Sequence, residues 1–237
     1  MDGLVFAAGE GTRLRPLTAD RPKPLLEVAG QTILERGLDT LVDLGADRLI
    51  VVVGYRDDQI VDHLGDAFRD VPVVYARQEE RLGMAHALLA AAEHVDDDLL
   101  VMDGDCLIDA DLAPLVERHR DPAVDGTLLL TRVSREAAQS KAICDVDDEG
   151  RLRGIVNKPE DPPDPALIAA GFQTATPALL EACRAVERSP RGEYEMAAAI
   201  QRLVDEGKTL VGVEADGWHV NVNTQEDLAA ARSYYEA

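Results

Sequence analysis

Gly9, Gly11, Thr12 and Arg13 follow a short apolar run in LVFAAGEGTRLRPLTADRPKPL, and Arg15 and Lys23 complete a local group of positive charges. Two glycines separated by one residue let the backbone turn sharply and approach a bound group, so that amide N–H groups can converge on phosphate oxygens. A threonine hydroxyl, guanidinium groups and an ammonium suit the same anion. The spacing also builds a plain turn. Two common phosphate motifs are excluded: GxxxxGK followed by Ser or Thr is absent, and GxGxxG fails at Leu14. Lys23 stands between Pro22 and Pro24, which restrict the backbone on both sides. A solvent-facing loop lysine is the alternative there.

Such a turn must be held by strands and helices, and these are legible. LVFAA suits a buried strand, and TILERGLDTLVDLG places Ile33, Leu34, Leu38, Leu41, Val42 and Leu44 at helical spacing before Gly45. RLIVVVG is the next strand. The alternation repeats through QIVDHLGDAF (helix), VPVVYA (strand), GMAHALLAAAEHV (helix) and DLLVMDGD (strand). Continuous apolar strands separated by helices predict a three-layer, Rossmann-like α/β fold with a mixed, mostly parallel central sheet covered on both faces. Ligands are expected at the C-terminal ends of its strands. After about residue 124 the rhythm changes. GTLLLTRV, then AICDVD and LRGIVNK joined across DEG, read as strands with a hairpin, followed by the Pro-rich KPEDPPDP. Helices PALLEACRAVE and EMAAAIQRLVDEG, strands TLVGVEA and WHVNV, and a helix from TQEDLAAARSYYEA complete the chain, with Thr224, Glu226 and Asp227 at the last helix start. No linker divides residues 1–237, so a single domain is expected.

Composition narrows the ligand class. Forty-five acidic residues against 24 basic ones give a net charge of −21, a field that repels nucleic acid and anionic membrane. An anion that binds here must be drawn by a local cluster. A dense carboxylate surface with only four lysines is tolerable where salt screens its self-repulsion, so the composition predicts a salt-rich cytoplasm, as in a halophilic archaeon. Cys106, Cys144 and Cys183 have no CxxC spacing and an odd count, which reads as reduced structural thiols. No segment reads as a signal peptide or a membrane span, which predicts a cytoplasmic protein.

AAGEGTRLRPLTADRPKPLLEVAG resembles the signature of the sugar-1-phosphate nucleotidyltransferases, which join a nucleoside triphosphate to a sugar 1-phosphate and release pyrophosphate. QEERLGMAHAL, MDGD, IVNKP, AAGFQTAT, SPRGEYEM and WHVNVNTQEDLAAA resemble later segments of that family in the right order. The resemblance is greatest to glucose-1-phosphate thymidylyl- and uridylyltransferases. It implies that residues 1–123 mainly bind the nucleotide and residues 124–237 mainly the sugar phosphate. Ala7, Ala8, Gly9, Gly11 and Thr12 would wrap the triphosphate, with Arg13 and Lys23 on its phosphates. Gln78 and Gly83 would read the base, since a Gln amide can pair with the imide edge of uracil or thymine. Asp105 and Asn221 would hold Mg2+, and Gly104, Asn157, Lys158 and Gly171 would hold the sugar phosphate, with Lys158 gripping its phosphate. Arg13, Lys23, Asp105 and Lys158 are thus the implied catalytic set, UTP or dTTP and glucose 1-phosphate the implied partners, and a homo-oligomer is compatible with the family.

Departures mark where this chain differs from the family pattern. Asn157 stands where many relatives have Glu on a sugar hydroxyl, Gln173 where an aromatic side chain is usual, and Asn221 where an Asp completes the metal site. These open alternative acceptors, such as another hexose or alditol phosphate, and a non-catalytic nucleotide-sugar-binding regulator. Arg15 reads as structural and His86 as a packing or surface residue of its helix. Glu193 is either structural or close to the sugar.

Overall fold

The computed structural model describes residues 1–236. The chain begins with β1 (Asp2–Phe6) and makes 3-10 turns at Thr12–Leu14 and Lys23–Leu25. A small hairpin, β2 (Glu27–Val28) with β3 (Gln31–Thr32), leads into α1 (Ile33–Asp43). Then come β4 (Arg48–Val53), α2 (Asp57–Leu64), β5 (Ala67–Phe68), β6 (Val71–Arg77), α3 (Met84–Ala90), β7 (Leu99–Asp103), β8 (Cys106–Ala110) and α4 (Ala113–His119). The second half contributes β9 (Gly126–Val133), α5 (Arg135–Ala138), β10 (Ala142–Val146), β11 (Leu152–Asn157), β12 (Ala166–Ala175), α6 (Ala178–Arg184), α7 (Met196–Asp205), β13 (Leu210–Glu214), β14 (Gly217–Asn221) and α8 (Gln225–Tyr235).

One ten-stranded sheet runs through both halves. β6, β4, β1 and β7 lie side by side and parallel, and β12 joins antiparallel to β7. β12 is long enough to serve several neighbours: β9 pairs along it, β13 pairs beyond β9, and the β10–β11 hairpin attaches near its N-terminal end at Ile168. This is the α/β fold with a mixed, mostly parallel sheet that the alternation predicts.

The apolar runs are continuous because both sheet faces are covered. Leu4, Ile50, Val52, Leu99 and Val101 face α3, α6 and α7, whereas Val5, Leu49, Val51, Leu100 and Met102 face α1, α2 and α4. The period of two along each strand thus divides one hydrophobic string between two layers. A third cluster, with Leu14, Val28, Ile33, Val222 and Leu228 at its centre, fastens α8 to the turn region.

Helix α1 starts with a reciprocal cap. Thr32 Oγ1 accepts from the Glu35 N–H at 3.1 Å, and Glu35 Oε2 accepts from the Thr32 N–H at 2.7 Å. The predicted start of α8 has the same device, Thr224 with Asp227. One expectation fails: QIVDHLGDAF is not a single helix. α2 stops at Leu64, Gly65 takes φ +70°, and Ala67–Phe68 folds back onto β6. All three cysteines are buried and unpaired. No helix among the described residues is long and apolar enough to cross a membrane.

Candidate active site

Two adjoining cavities open at the C-terminal ends of β1, β7 and β11. The first, of about 370 Å³, is lined by Ala8, Gly9, Lys23, Gln78, Arg81, Gly83, Gly104 and Asp105 with others. The second, of about 250 Å³, is lined by Lys141, Asn157, Lys158, Gly171, Gln173 and Glu195 with others. Met84, Asp103, Glu193 and Asn221 belong to both, so a group in one cavity borders a group in the other.

Lys23 is the central cation of the first cavity. It is 7 % exposed, its Nζ lies 2.6 Å from Asp105 Oδ2, and it donates to Asn223 Oδ1 at 3.1 Å. Arg13 Nη2 donates to the same Asn223 oxygen at 2.8 Å from the exposed side. The glycine turn explains how Lys23 reaches this place. Gly11 has φ +67°, and a Cβ there would sit 2.8 Å from Lys23 Cβ, so its bare backbone lets the lysine stem pass. Gly11 O also accepts from the buried Thr18 hydroxyl at 2.8 Å. Glu10 is engaged by two arginines: its oxygens take Arg15 at 2.5 Å and Arg81, which lines the first cavity, at 3.2 Å.

The predicted residues therefore separate. Ala8, Gly9, Lys23, Gln78 and Gly83 line the first cavity. Ala7 is buried in the extension of β1, its N–H on Val52 O, and Gly11, Thr12 and Arg13 stand outside the lining. Asn157, Lys158 and Gly171 line the second cavity, but Gly104 lines the first. Gly104 is packed so closely on the Phe6 carbonyl that a Cβ would overlap it.

Asp103, at the shared floor, is crowded by protein atoms and faces Asp105. Burial first, and the neighbouring charge second, push its carboxyl up to about 7, against the opposing pull of Lys141 and Lys23. Asn221, the last residue of β14, donates Nδ2 to Asp105 Oδ1 at 3.2 Å. Asp103 and Asp105 bring carboxylate oxygens to this point, whereas Asn221 turns its amide nitrogen to Asp105; with the Asn221 amide turned over, the three would offer oxygen donors to a hard divalent cation supplemented by phosphate and water.

Several residues here have no counterpart in the sequence reading. Lys141 joins Lys158 in the second cavity, and the two backbones pair across the hairpin, Lys158 N donating to Lys141 O at 2.8 Å. Three of the chain's four lysines thus line the cavities, and that scarcity was a usable signal. Asn157, which the resemblance implies stands in place of a Glu, donates to Glu195 Oε2 at 2.7 Å, and Arg191 holds Glu195 Oε1 at 2.7 Å. A carboxylate therefore still reaches this wall, from the start of α7. Burial alone would raise the Glu195 carboxyl, but these hydrogen bonds from Asn157 and Arg191 outweigh it and lower it. Asn223 lies two residues beyond Asn221 and had no pattern to announce it. His86 does more than pack: its Nδ1 lies 3.1 Å from Gln78 Nε2.

The profile of the family described as nucleotidyl transferase matches residues 2–237. The chain is similar to a UTP–glucose-1-phosphate uridylyltransferase, AglF, of Haloferax volcanii, with 44% identity over 227 residues that cover 96% of this chain and 93% of the relative. It is similar to a glucose-1-phosphate thymidylyltransferase of Streptomyces antibioticus, with 36% identity over 243 residues, 100% of this chain and 67% of that one. Among solved structures, a UDP-glucose pyrophosphorylase complexed with UDP-glucose superposes with TM-score 0.90 at 19% identity, over 99% of this chain and 98% of the other. A putative glucose-1-phosphate thymidylyltransferase of Bacillus anthracis does so with TM-score 0.89 at 23% identity, over 99% and 94%. These two similarities establish the shared fold.

Proposed function

Because the chain belongs to the nucleotidyl transferase family and moves a nucleotidyl group from a nucleoside triphosphate to a sugar 1-phosphate, we propose that its donor is UTP and its acceptor glucose 1-phosphate. The observation that carries this reading is the pair of adjoining cavities, one holding Lys23 and Gln78, the other Lys141 and Lys158, with a common floor at Asp103 and Asn221. The similarity to the Haloferax uridylyltransferase over nearly the full length of both chains favours UTP and glucose 1-phosphate. dTTP is the second donor to test, since thymine presents the same imide edge and a thymidylyltransferase is also among the relatives.

An acceptor phosphate oxygen attacks the α-phosphorus and pyrophosphate leaves roughly in line, with no covalent protein intermediate. Catalysis then rests on alignment and charge. Lys158 and Lys141 hold the acceptor phosphate, and Lys23 with Arg13 at the rim balances charge on the donor. Asn157 and Glu195 receive sugar hydroxyls. Asp105 and Asn221, with Asp103 beside them, would hold Mg2+, which would supply neutralisation of phosphate charge and polarisation of the phosphoryl group. The acidic surface supports a salt-rich cytoplasm as the working environment.

The test is a matrix of nucleoside triphosphates against sugar 1-phosphates, with Mg2+ in concentrated KCl, scored by pyrophosphate release and product mass. UDP-glucose is the expected main product. A different sugar in the product would replace the acceptor assignment, and silence across the matrix would overturn the catalytic reading.

A further inference from the structure

We propose that His86 is a positioning residue for base selection, locking the Gln78 side chain so that only its amide oxygen is offered to the donor's base. The proposal rests on the reading of the first cavity as the nucleotide site. Gln78 follows β6, its N–H donates to Val53 O at 2.8 Å, and its side chain lines the cavity while only 6 % exposed. Nε2 of that side chain lies 3.1 Å from Gly83 O and 3.1 Å from His86 Nδ1. A carbonyl can only accept, so the nitrogen end of the amide must face Gly83. The second N–H then meets His86 Nδ1, which accepts when the ring carries its proton on Nε2. With both donors engaged, Oε1 is the atom left for a ligand.

Both acceptors are themselves fixed. Gly83 takes φ +104°, and a Cβ there would lie 2.5 Å from Tyr194 O, so it rests directly on that backbone. The Tyr194 N–H donates to Leu82 O at 2.7 Å, and Tyr194 O accepts from Ala85 N at 3.1 Å. The Tyr194 ring stacks beside the His86 ring, with centroids 6.1 Å apart and an interplanar angle of 23°. One backbone segment thus sets Gly83 and His86 together.

The consequence is chemical discrimination. An acceptor at this point receives the N3–H of uracil or thymine. Cytosine presents a lone pair at N3 and meets oxygen lone pairs instead. To suit cytosine the amide would have to turn over, which strands its oxygen against Gly83 O and leaves His86 Nδ1 without a donor. A site built to hydrogen-bond one edge rejects the analogue lacking it because buried polar groups are left unpaired.

The test compares UTP and CTP affinities by titration calorimetry in the unmodified protein, His86→Phe and His86→Asn, with thermal unfolding of each. Phe keeps a ring beside Tyr194 and removes the acceptor; Asn loses the ring but can present Oδ1 near the Nδ1 position. The unmodified protein is expected to favour UTP, His86→Phe to lose about tenfold of the UTP:CTP ratio, and His86→Asn to retain it. In turnover the Phe variant should raise KM for UTP with kcat little changed. An unmodified protein without UTP preference, a Phe variant with the ratio intact, or equal losses in both variants would overturn the proposal. Because the ratio is read from binding, absence of turnover in the unmodified protein would strike the catalytic reading and leave this measurement decisive.

Discussion

At the scale of single residues, the two glycines of the opening turn have different duties. Gly11 is needed for its left-handed backbone and for the passage of the Lys23 stem, while a Cβ on Gly9, which borders the cavity, would meet no protein atom within 4 Å. Gly11→Ala should therefore destabilise the protein by about 1–3 kcal/mol, the range for strained backbone and crowded packing, and reduce donor-dependent turnover. Gly9→Ala should leave the unfolding midpoint unchanged and raise KM for the donor. Thermal melts alongside initial rates distinguish the pair, and the same outcome for both substitutions would contradict it. The sequence showed both as equivalent members of one motif, because a spacing pattern records which residues are glycine and not what each would collide with.

At the scale of elements, the strands and most helices were legible because each carries its own period. What was not legible depends on partners far away in the chain. β8 reads as ordinary turn-flanking sequence until β14 pairs with it, Asn221 opposite Cys106. Asn223 gains its place at Lys23 and Arg13 only through that pairing and the cap of α8, where Asp227 Oδ2 accepts the Asn223 N–H at 2.9 Å. Lys141 likewise becomes a neighbour of Lys158 only when the β10–β11 register is fixed. A cap, by contrast, is local and makes a local prediction. Burial would raise the Glu35 carboxyl, but hydrogen bonds from Thr32 N and Oγ1, with His63 close by, outweigh it and hold it below its ordinary 4.5. A depressed carboxyl contributes stability above the unfolded value and loses it as pH falls through the folded one. Glu35→Gln should thus reduce unfolding free energy by about 1 kcal/mol at pH 6.5, with the deficit closing below pH ~4. Denaturant titrations of both proteins at the two pH values would show it; a deficit independent of pH would refute the charge contribution.

At the scale of the whole molecule, a net charge of −21 surrounds a site built around Lys23, Lys141 and Lys158. Surface repulsion is screened over about 10 Å at 0.1 M salt and about 3 Å at 1 M. Raising KCl over that interval should increase the urea unfolding midpoint and, because the same field opposes an incoming triphosphate, lower KM for the donor. A midpoint that does not respond to salt would remove the reason given for the acidic composition. The boundary between the two halves of the chain lies elsewhere, in the backbone ladder where β12 runs beside β7, Phe172 opposite Met102 and Ala175 opposite Leu99. Strand register moves in whole residues of roughly 3.3 Å, and a single step would carry every side chain of the strand to the opposite face of the sheet, into the wrong layer of the core. On the proposed assignment of the two cavities, the spacing between donor and acceptor would therefore be ruled like a scale with coarse divisions. Side chains on either wall could then be exchanged to admit a different sugar or base without altering that spacing.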